Sequence, residues 1–515
     1  MTEHDAPELA ARASEQHVVV IGGGIGGLVA ARECAKVGMR VTLLEATDAL
    51  GGSIRSAELD GITVDAGAES FATRGGHVRA LIDELGLGDL VVAPERGGAW
   101  LSGIPDAPAA PLPIGGLLGI PANPFQEDVR RIIGWRGAWR AYIDRLRPPL
   151  TIGHERSLGR LVRSRMGARV RDRLVAPVTA GVYSADPDAV DTDVAAPGLN
   201  AALTRVGSLS GAVAALAASR KGKAPGAAVL GLSGGMGRLV DALRAELDKY
   251  GVDVRTDARV TRLERIGDSW SVEHEVTMPA EPFDIETAAV DPTDPDAVSV
   301  DATSVDLVSV DATAAPLTAT GVIVATSEPA ARRLLDGHVT GLGDAGPAPE
   351  IEIITLLLDA PALDLAPRGS GVLTVPGSHT AKALTHSTAK WSWLREMANG
   401  RHVVRVSFGT QGEPAATAAL DDSAAAQLAL SEASALLGVA LAPQQLLTAH
   451  RGRFVQAQPT SLIGAAEHRT AARAAVQNVA GLAVVGAWMS GTGLAQVIPD
   501  AIAETDRLRS TLLWD

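Results

Sequence analysis

The sequence predicts an α/β protein of several domains, built on a Rossmann-like parallel sheet whose strands are scattered along the chain. Three observations predict it. A G-x-G-x-x-G pattern, Gly22 to Gly27, sits between an apolar run and a helical stretch. Short apolar runs recur far downstream, at 252–254, 321–325 and 482–487. A length of 515 residues exceeds one ordinary core, so two or three domains are expected.

The run 18–21 reads as a buried strand, and the glycines after it have separate tasks. Gly22 permits a tight turn, Gly24 lets the backbone approach a diphosphate, and Gly27 lets helix and strand pack closely. The free N–H groups and positive dipole end of that helix favour phosphate charge. Residues 41–44 make the next strand. Glu45 ends it, placed to accept hydrogen bonds from an adenosine ribose. Strand, glycines, helix, strand and acid come in the order that dinucleotide binding requires. The following Leu50-Gly51-Gly52-Ser53-Ile54-Arg55 resembles the second glycine pair of FAD proteins in the amine oxidase and protoporphyrinogen oxidase superfamily, which NAD-binding domains generally lack.

Downstream, the glycine-rich 231–237 precedes an amphipathic helix, 238–250, which Gly251 stops. Residues 258–263 continue in extended form, and a last helix is expected from near Pro499. The nucleotide domain is therefore assigned to 17–95, 228–275, 317–335 and 478–515, after a disordered tail at 1–16. An insertion at 96–227 reads as mainly helical. Within 158–175, Leu158, Leu161, Val162, Met166, Val170 and Leu174 recur near a 3.6-residue period. A second insertion, 336–477, mixes extended runs (351–358, 402–408) with an alanine-rich helix at 423–437, and reads as a mixed-sheet substrate domain. Residues 276–316 are rich in acids, lack Lys and Arg, and repeat VSVDAT at 298–303 and 308–313. They read as a flexible insertion.

Composition narrows the classes. A net charge of −14 argues against non-specific nucleic-acid binding. One cysteine, Cys34, excludes an internal disulfide or a cysteine metal cluster. No uninterrupted apolar run is long enough to span a membrane, and the first 16 residues do not resemble a secretion signal. A cytoplasmic location is expected, with peripheral contact at the inner membrane face left open. From Arg130 to Arg173 there are thirteen arginines against Asp144, Glu155 and Asp172. Two readings stand: a basic surface that steers a polycarboxylate or rests on anionic lipid, and ordinary solvated helix faces. The histidines (His154, His379, His386, His402, His450, His468) show no partner spacing and read as structural or exposed. No triad or metal cluster emerges; the catalytic residue stays unassigned and no metal is expected.

Over nearly its whole length the chain resembles the oxygen-dependent protoporphyrinogen and coproporphyrinogen oxidases of heme synthesis. The carrying segments are Asp60 to Phe71 (DGITVDAGAESF), Ser157 to Pro187, above all its tail Gly181-Val182-Tyr183-Ser184-Ala185-Asp186-Pro187, and Gly491 to Asp500 (GTGLAQVIPD). The resemblance implies an FAD-binding fold of p-hydroxybenzoate hydroxylase type with an added helical domain, and non-covalent FAD. It implies aromatisation of a porphyrinogen in three two-electron steps, each passing a hydride to the flavin, with dioxygen reoxidising the flavin to give hydrogen peroxide. It places Gly22, Gly24, Ile25, Gly26 and Gly27 on the pyrophosphate, and Glu45 and Ala46 on ribose and adenine. Ser53, Gly67, Ala68, Glu69 and Ser70 would lie along the flavin, Val260 would flank the adenine side through its backbone, and Ala495, Gln496, Val497 and Ile498 would close the isoalloxazine pocket. Arg74 is a candidate for a substrate propionate, with plain exposure as the alternative. Tyr183 would line the cavity or cap a helix end. Several relatives carry a basic residue just after Arg74's position, where this chain has Gly75-Gly76. The segment Ser70 to Arg74 resembles the soluble Gram-positive branch, which favours coproporphyrinogen III; protoporphyrinogen IX remains the alternative. The expected partners are the porphyrinogen and dioxygen, with hand-over to a downstream heme-pathway enzyme and a monomeric or homodimeric state left open. The rivals are an amine oxidase or carotenoid desaturase, and a non-catalytic binding protein that keeps the fold.

Overall fold

A computed structural model describes residues 5–95, 97–105, 107–147, 155–219, 229–278, 310–345, 348–455 and 461–514. Its centre is a five-stranded sheet in the order Asp253–Arg255, Arg40–Leu44, His17–Ile21, Gly321–Val324 and Leu482–Val484. Every adjacent pair is parallel. The three strands from His17, Gly321 and Leu482 are wholly buried, which is why they read as continuous apolar runs rather than alternating ones. The helix Ile25–Ala35 follows the first strand, and all of its residues are buried. The helices Gly237–Lys249 and Leu494–Trp514 pack on it.

A second, seven-stranded mixed sheet runs Leu446–Val455, Glu350–Leu358, His402–Phe408, Ala383–His386, Gly371–Thr374, Ala99–Ser102, Ala110–Pro111. Its last two strands come from the stretch expected to be helical. Ala99–Ser102 pairs parallel with Gly371–Thr374, while Leu101 and Ala110 point into the core of the helical layer. The boundary between the two units thus runs through the sheet rather than at residue 96. Alternation placed one face of this strand on each unit.

The helical layer holds Glu127–Tyr142, Leu158–Met166, Ala176–Tyr183, Leu199–Val206 and Leu209–Ser219 among its elements. All six periodic positions from Leu158 to Leu174 are buried as expected. The expected continuous helix is nevertheless broken at Gly167, whose φ of +93° lies outside helical space. Apolar periodicity survives such a break, so periodicity alone did not reveal it.

Two termini differ from expectation. The tail is not disordered from residue 5 onward: Asp5–Glu15 is a helix whose Leu9 and Ala13 pack on the core beside Leu513. Arg12 Nη1 donates to the Leu513 carbonyl at 3.1 Å. The i, i+4 apolar pair found a partner 500 residues away in sequence. The last helix begins at Leu494, not near Pro499, which lies inside it. The proline removes the hydrogen bond that would reach the Ala495 carbonyl. Most of the acidic insertion, residues 279–309, lies outside the described residues, as does the first VSVDAT repeat. The flanking strands Ser269–Met278 and Val310–Thr313 pair antiparallel. Among the described residues no single helix is long and apolar enough to cross a membrane.

Candidate nucleotide and substrate site

The turn after the first strand is built by backbone contacts that only glycine permits. Gly22 has φ +108°, and a Cβ there would meet the Ala325 carbonyl at 2.8 Å. A Cβ on Gly27 would stand 1.9 Å from the Gly22 carbonyl oxygen, so helix and strand are in direct backbone contact. Gly24 differs. Its conformation is ordinary (φ −69°, ψ 172°), and a Cβ would find only Gly52 Cα, at 4.0 Å. The open space over Gly24 is where the helix N-terminus points. That terminus has neither a side-chain cap nor an acid in its first turn. It offers unsatisfied donors and a positive dipole end to an anion.

Glu45 stands at one side of this cradle. Its carboxylate accepts from Gly23 N (2.7 Å), Thr47 N (2.9 Å) and Thr47 Oγ1 (2.8 Å). These donors orient it without consuming all its acceptor sites, leaving capacity for a ribose diol. Ala46 is exposed beside it. Val260 lies close by: Ala258 N donates to the Glu45 carbonyl, and the strand Ala258–Ile266 shifts register between Val260 and Arg262. The second glycine pair closes over the first. Gly51 N donates to Gly23 O at 2.8 Å, and a Cβ on Gly52 would meet Gly24 Cα at 3.1 Å. The donor set, the gap over Gly24 and the adjacent carboxylate together fit the adenosine diphosphate half of a dinucleotide.

From the cradle, Ser53 leads to the flavin-side segment. Ala68 N donates to the Ser53 carbonyl, and a Cβ on Gly67 would lie 2.0 Å from that oxygen. This segment is anchored from the mixed sheet by charges that sequence reasoning did not single out. Arg405 donates through Nη2 to the carbonyls of Ala66 (3.1 Å) and Gly67, and through Nη1 to Glu69 Oε2 at 2.9 Å. Lys390 and Ser387 also bind the Glu69 carboxylate. Burial by itself would raise the Glu69 pKa, but the two cations outweigh it and bring the group down to about 2. Glu69 was expected along the flavin; its carboxylate instead ties sheet to segment, and backbone atoms are what it has left to offer a cofactor. The available signal was Arg405 itself, a charge inside the apolar run HVVRVSF. Asp65 similarly accepts from Met236 N at 2.8 Å, and burial pushes its carboxyl up to about 6 against that bond and the Arg405 charge.

In the closing segment, Ala495 and Gln496 are partly exposed and Val497 packs against Gly26. The Ile498 side chain is enclosed in the core with Leu508 and Ala501, so backbone atoms are what it has to offer a cofactor. Arg74 is exposed, close enough to half-buried Tyr183 for its charge to oppose the upward pull of burial on the phenol. Tyr183 ends its helix and packs on the helical core, the second of the two tasks weighed for it.

The arginine-rich segment separates into two populations. Arg165 pairs with buried Asp144, while Arg169 and Arg173 donate to the Ile133 and Ile132 carbonyls. Arg171 binds Asp172, Asp186 and Asp188. These arginines act as fasteners, Arg169 from an exposed position, whereas among the described residues exposed Arg136, Arg160 and Arg163 make no such bond. His386 and His402 are buried together, 3.2 Å apart, with His402 bonded to Asp364; burial and His402 drive the His386 pKa down to about 4. Cys34 is buried, which raises its thiol to about 12. No group of metal-ligating side chains occurs among the described residues.

Comparison with known proteins agrees with this geometry. Residues 25–505 match the family described as flavin containing amine oxidoreductase. A coproporphyrinogen III oxidase from Mycobacterium bovis is 29% identical over 489 residues, spanning 92% of this chain and 93% of that one. One from Propionibacterium freudenreichii subsp. freudenreichii is 30% identical over 285 residues, spanning 50% of this chain and 54% of its own. Among solved structures, a provisionally named protoporphyrinogen oxidase from Exiguobacterium superposes with a TM-score of 0.77 at 22% identity, over 96% of this chain and 99% of that one. Putrescine oxidase bound to putrescine gives 0.63 at 14% identity, over 97% and 99%.

Proposed function

The chain belongs to the flavin containing amine oxidoreductase family, and from that premise we propose that it is an FAD-dependent oxidase that aromatises coproporphyrinogen III to coproporphyrin III, a step in heme synthesis. The observation that carries the cofactor half is the gap over Gly24 at an uncapped helix N-terminus beside an oriented Glu45. The substrate half is supported by the names of relatives that align along nearly the whole chain. When bound, FAD accepts electron pairs and returns them to dioxygen, giving peroxide. The chain's own part is to bind, orient and exclude water. Gly24, Ile25, Gly26 and Gly27 would hold the pyrophosphate, and Glu45 the ribose. Arg405 fixes the carbonyls of Ala66 and Gly67, and so the wall along which the isoalloxazine would lie. Arg74 would meet a substrate carboxylate. Trp488, the aromatic beside the closing segment, is buried among core residues.

Purified yellow protein given coproporphyrinogen III in air is expected to develop porphyrin fluorescence with three peroxides per porphyrin. Protoporphyrinogen IX run beside it decides the preference. Turnover of putrescine or benzylamine with neither porphyrinogen touched would overturn the reading.

One surface supports peripheral membrane contact. In a chain with 3% aromatics, Phe125, Trp135, Trp139 and Tyr142 cluster together. Trp135 (60%), Trp139 (56%) and neighbouring Leu146 (75%) are exposed. Arg130 stacks over Trp135 at 4.2 Å and Arg145 over Tyr142 at 5.5 Å. Amphipathic rings among cations suit an anionic headgroup layer. Co-sedimentation with phosphatidylglycerol vesicles is expected for the wild type, and loss of it for W135S/W139S. Equal behaviour of the two proteins would assign the patch to another role.

A further inference from the structure

Lys382 lies just before the strand Ala383–His386 and is clamped by its backbone. Its N–H donates to Ser407 O at 2.9 Å, and its carbonyl accepts from Thr374 Oγ1 at 3.0 Å. Its side chain leaves the mixed sheet and reaches the helical layer, where Nζ donates to Ser184 Oγ at 2.7 Å. Ser184 is itself unusual. It caps the helix Ala176–Tyr183 in a left-handed conformation (φ 53°, ψ 30°), where glycine would be relaxed, and it is almost wholly buried. Its hydroxyl is what meets the lysine. An ammonium has three donors, and this one uses one on a neutral hydroxyl. Among the described residues no carboxylate pairs with it, and burial lowers its pKa to about 8. A cation removed from water without an anion is costly unless a ligand supplies one. The neighbouring residue, Tyr183, lies near enough to Arg74 to feel its charge.

Resting on the porphyrinogen reading above, we propose that Lys382, tethered by Ser184, is a second substrate-carboxylate site. Arg74 and Lys382 then flank the Tyr183–Ser184 corner and read two propionates of one substrate. This assigns Lys382 to specificity and not to the chemical step. It also gives the Tyr183–Ser184 corner a reason to join the helical layer to the mixed sheet.

The test uses the holoenzyme and two readouts: steady-state turnover of coproporphyrinogen III, and equilibrium binding of the unreactive tetracarboxylate product coproporphyrin III by fluorescence. K382M is expected to raise KM and weaken porphyrin binding by about tenfold or more, with kcat and flavin content near wild type; K382R should restore most of both. S184A, which keeps the charge but frees it, should fall between and carries the test if K382M does not fold. Unchanged KM and binding in K382M would overturn the proposal. So would loss of kcat and flavin without a KM change, the mark of a purely structural tether. Wild-type protein that binds coproporphyrin III in a Lys382-dependent way but oxidises neither porphyrinogen would sink the oxidase reading and leave this site standing. Wild-type protein that binds no porphyrin at all would sink both.

Discussion

Gly24→Ala is expected to yield a folded, colourless protein, and Gly27→Ala a poorly folded one. The two positions lie three residues apart in the same glycine motif, yet their surroundings differ. At Gly24 the backbone already has dihedrals that alanine adopts, and the added methyl enters open space. That is the space assigned to the diphosphate, so the methyl displaces cofactor and not protein. The melting temperature of the apoprotein should stay near that of the wild-type apoprotein, while FAD affinity falls by about 1.4 to 2.8 kcal/mol, ten- to a hundredfold. At Gly27 the methyl would stand 1.9 Å from a backbone oxygen of the adjoining turn. Relief requires the helix Ile25–Ala35 to move off the sheet, at about 3 kcal/mol or more of stability. Flavin absorbance after gel filtration and thermal unfolding of both apoproteins check the contrast. Normal flavin content in Gly24→Ala would place the pyrophosphate elsewhere.

The second large effect concerns Glu69. Removing its carboxylate in Glu69→Ala leaves Lys390 and Arg405 nearly buried without their counter-charge. Breaking such a cluster by deleting one partner costs about 3 to 5 kcal/mol. The pH dependence has a definite sign. The folded pKa of about 2 lies below the ordinary glutamate value of 4.5. The stabilisation is therefore fully present above pH 4.5 and is lost as pH falls through about 2. It amounts to about 3 kcal/mol at neutral pH. Denaturant midpoints of wild type and Glu69→Ala should thus be well separated at pH 7 and converge in strong acid. Parallel curves down to pH 2 would show that the cluster is not held by ionised Glu69. Because Arg405 also holds the Ala66 and Gly67 carbonyls, flavin content should fall with stability in this variant.

How the chain could be read from its residues varied with the range of the contacts involved. The nucleotide cradle was legible in full: glycine spacing, flanking strands and Glu45 lie within 30 residues, and each acts through local backbone geometry. The scattered strands of the parallel sheet were legible too, because a strand buried on both faces is a continuous apolar run wherever it occurs. The helix 5–15, by contrast, looked like a tail because its apolar side is short; it is ordered by the far end of the chain. The arginine-rich segment looked like one basic surface. Folding turned Arg165, Arg171 and Arg173 inward onto carboxylates and carbonyls, and only tertiary contacts distinguish those from exposed Arg136, Arg160 and Arg163.

The residues alone therefore determined the fold class and the backbone of the glycine cradle, since these follow from local conformation and short motifs. Tertiary structure alone decided which charges stay exposed, which fasten sheet to segment, and that the Ile498 side chain belongs to the core. A charge's role depends on the partner it meets, and Lys382 with Ser184, or Glu69 with Arg405, meet only when chain segments some 200 to 340 residues apart are packed together.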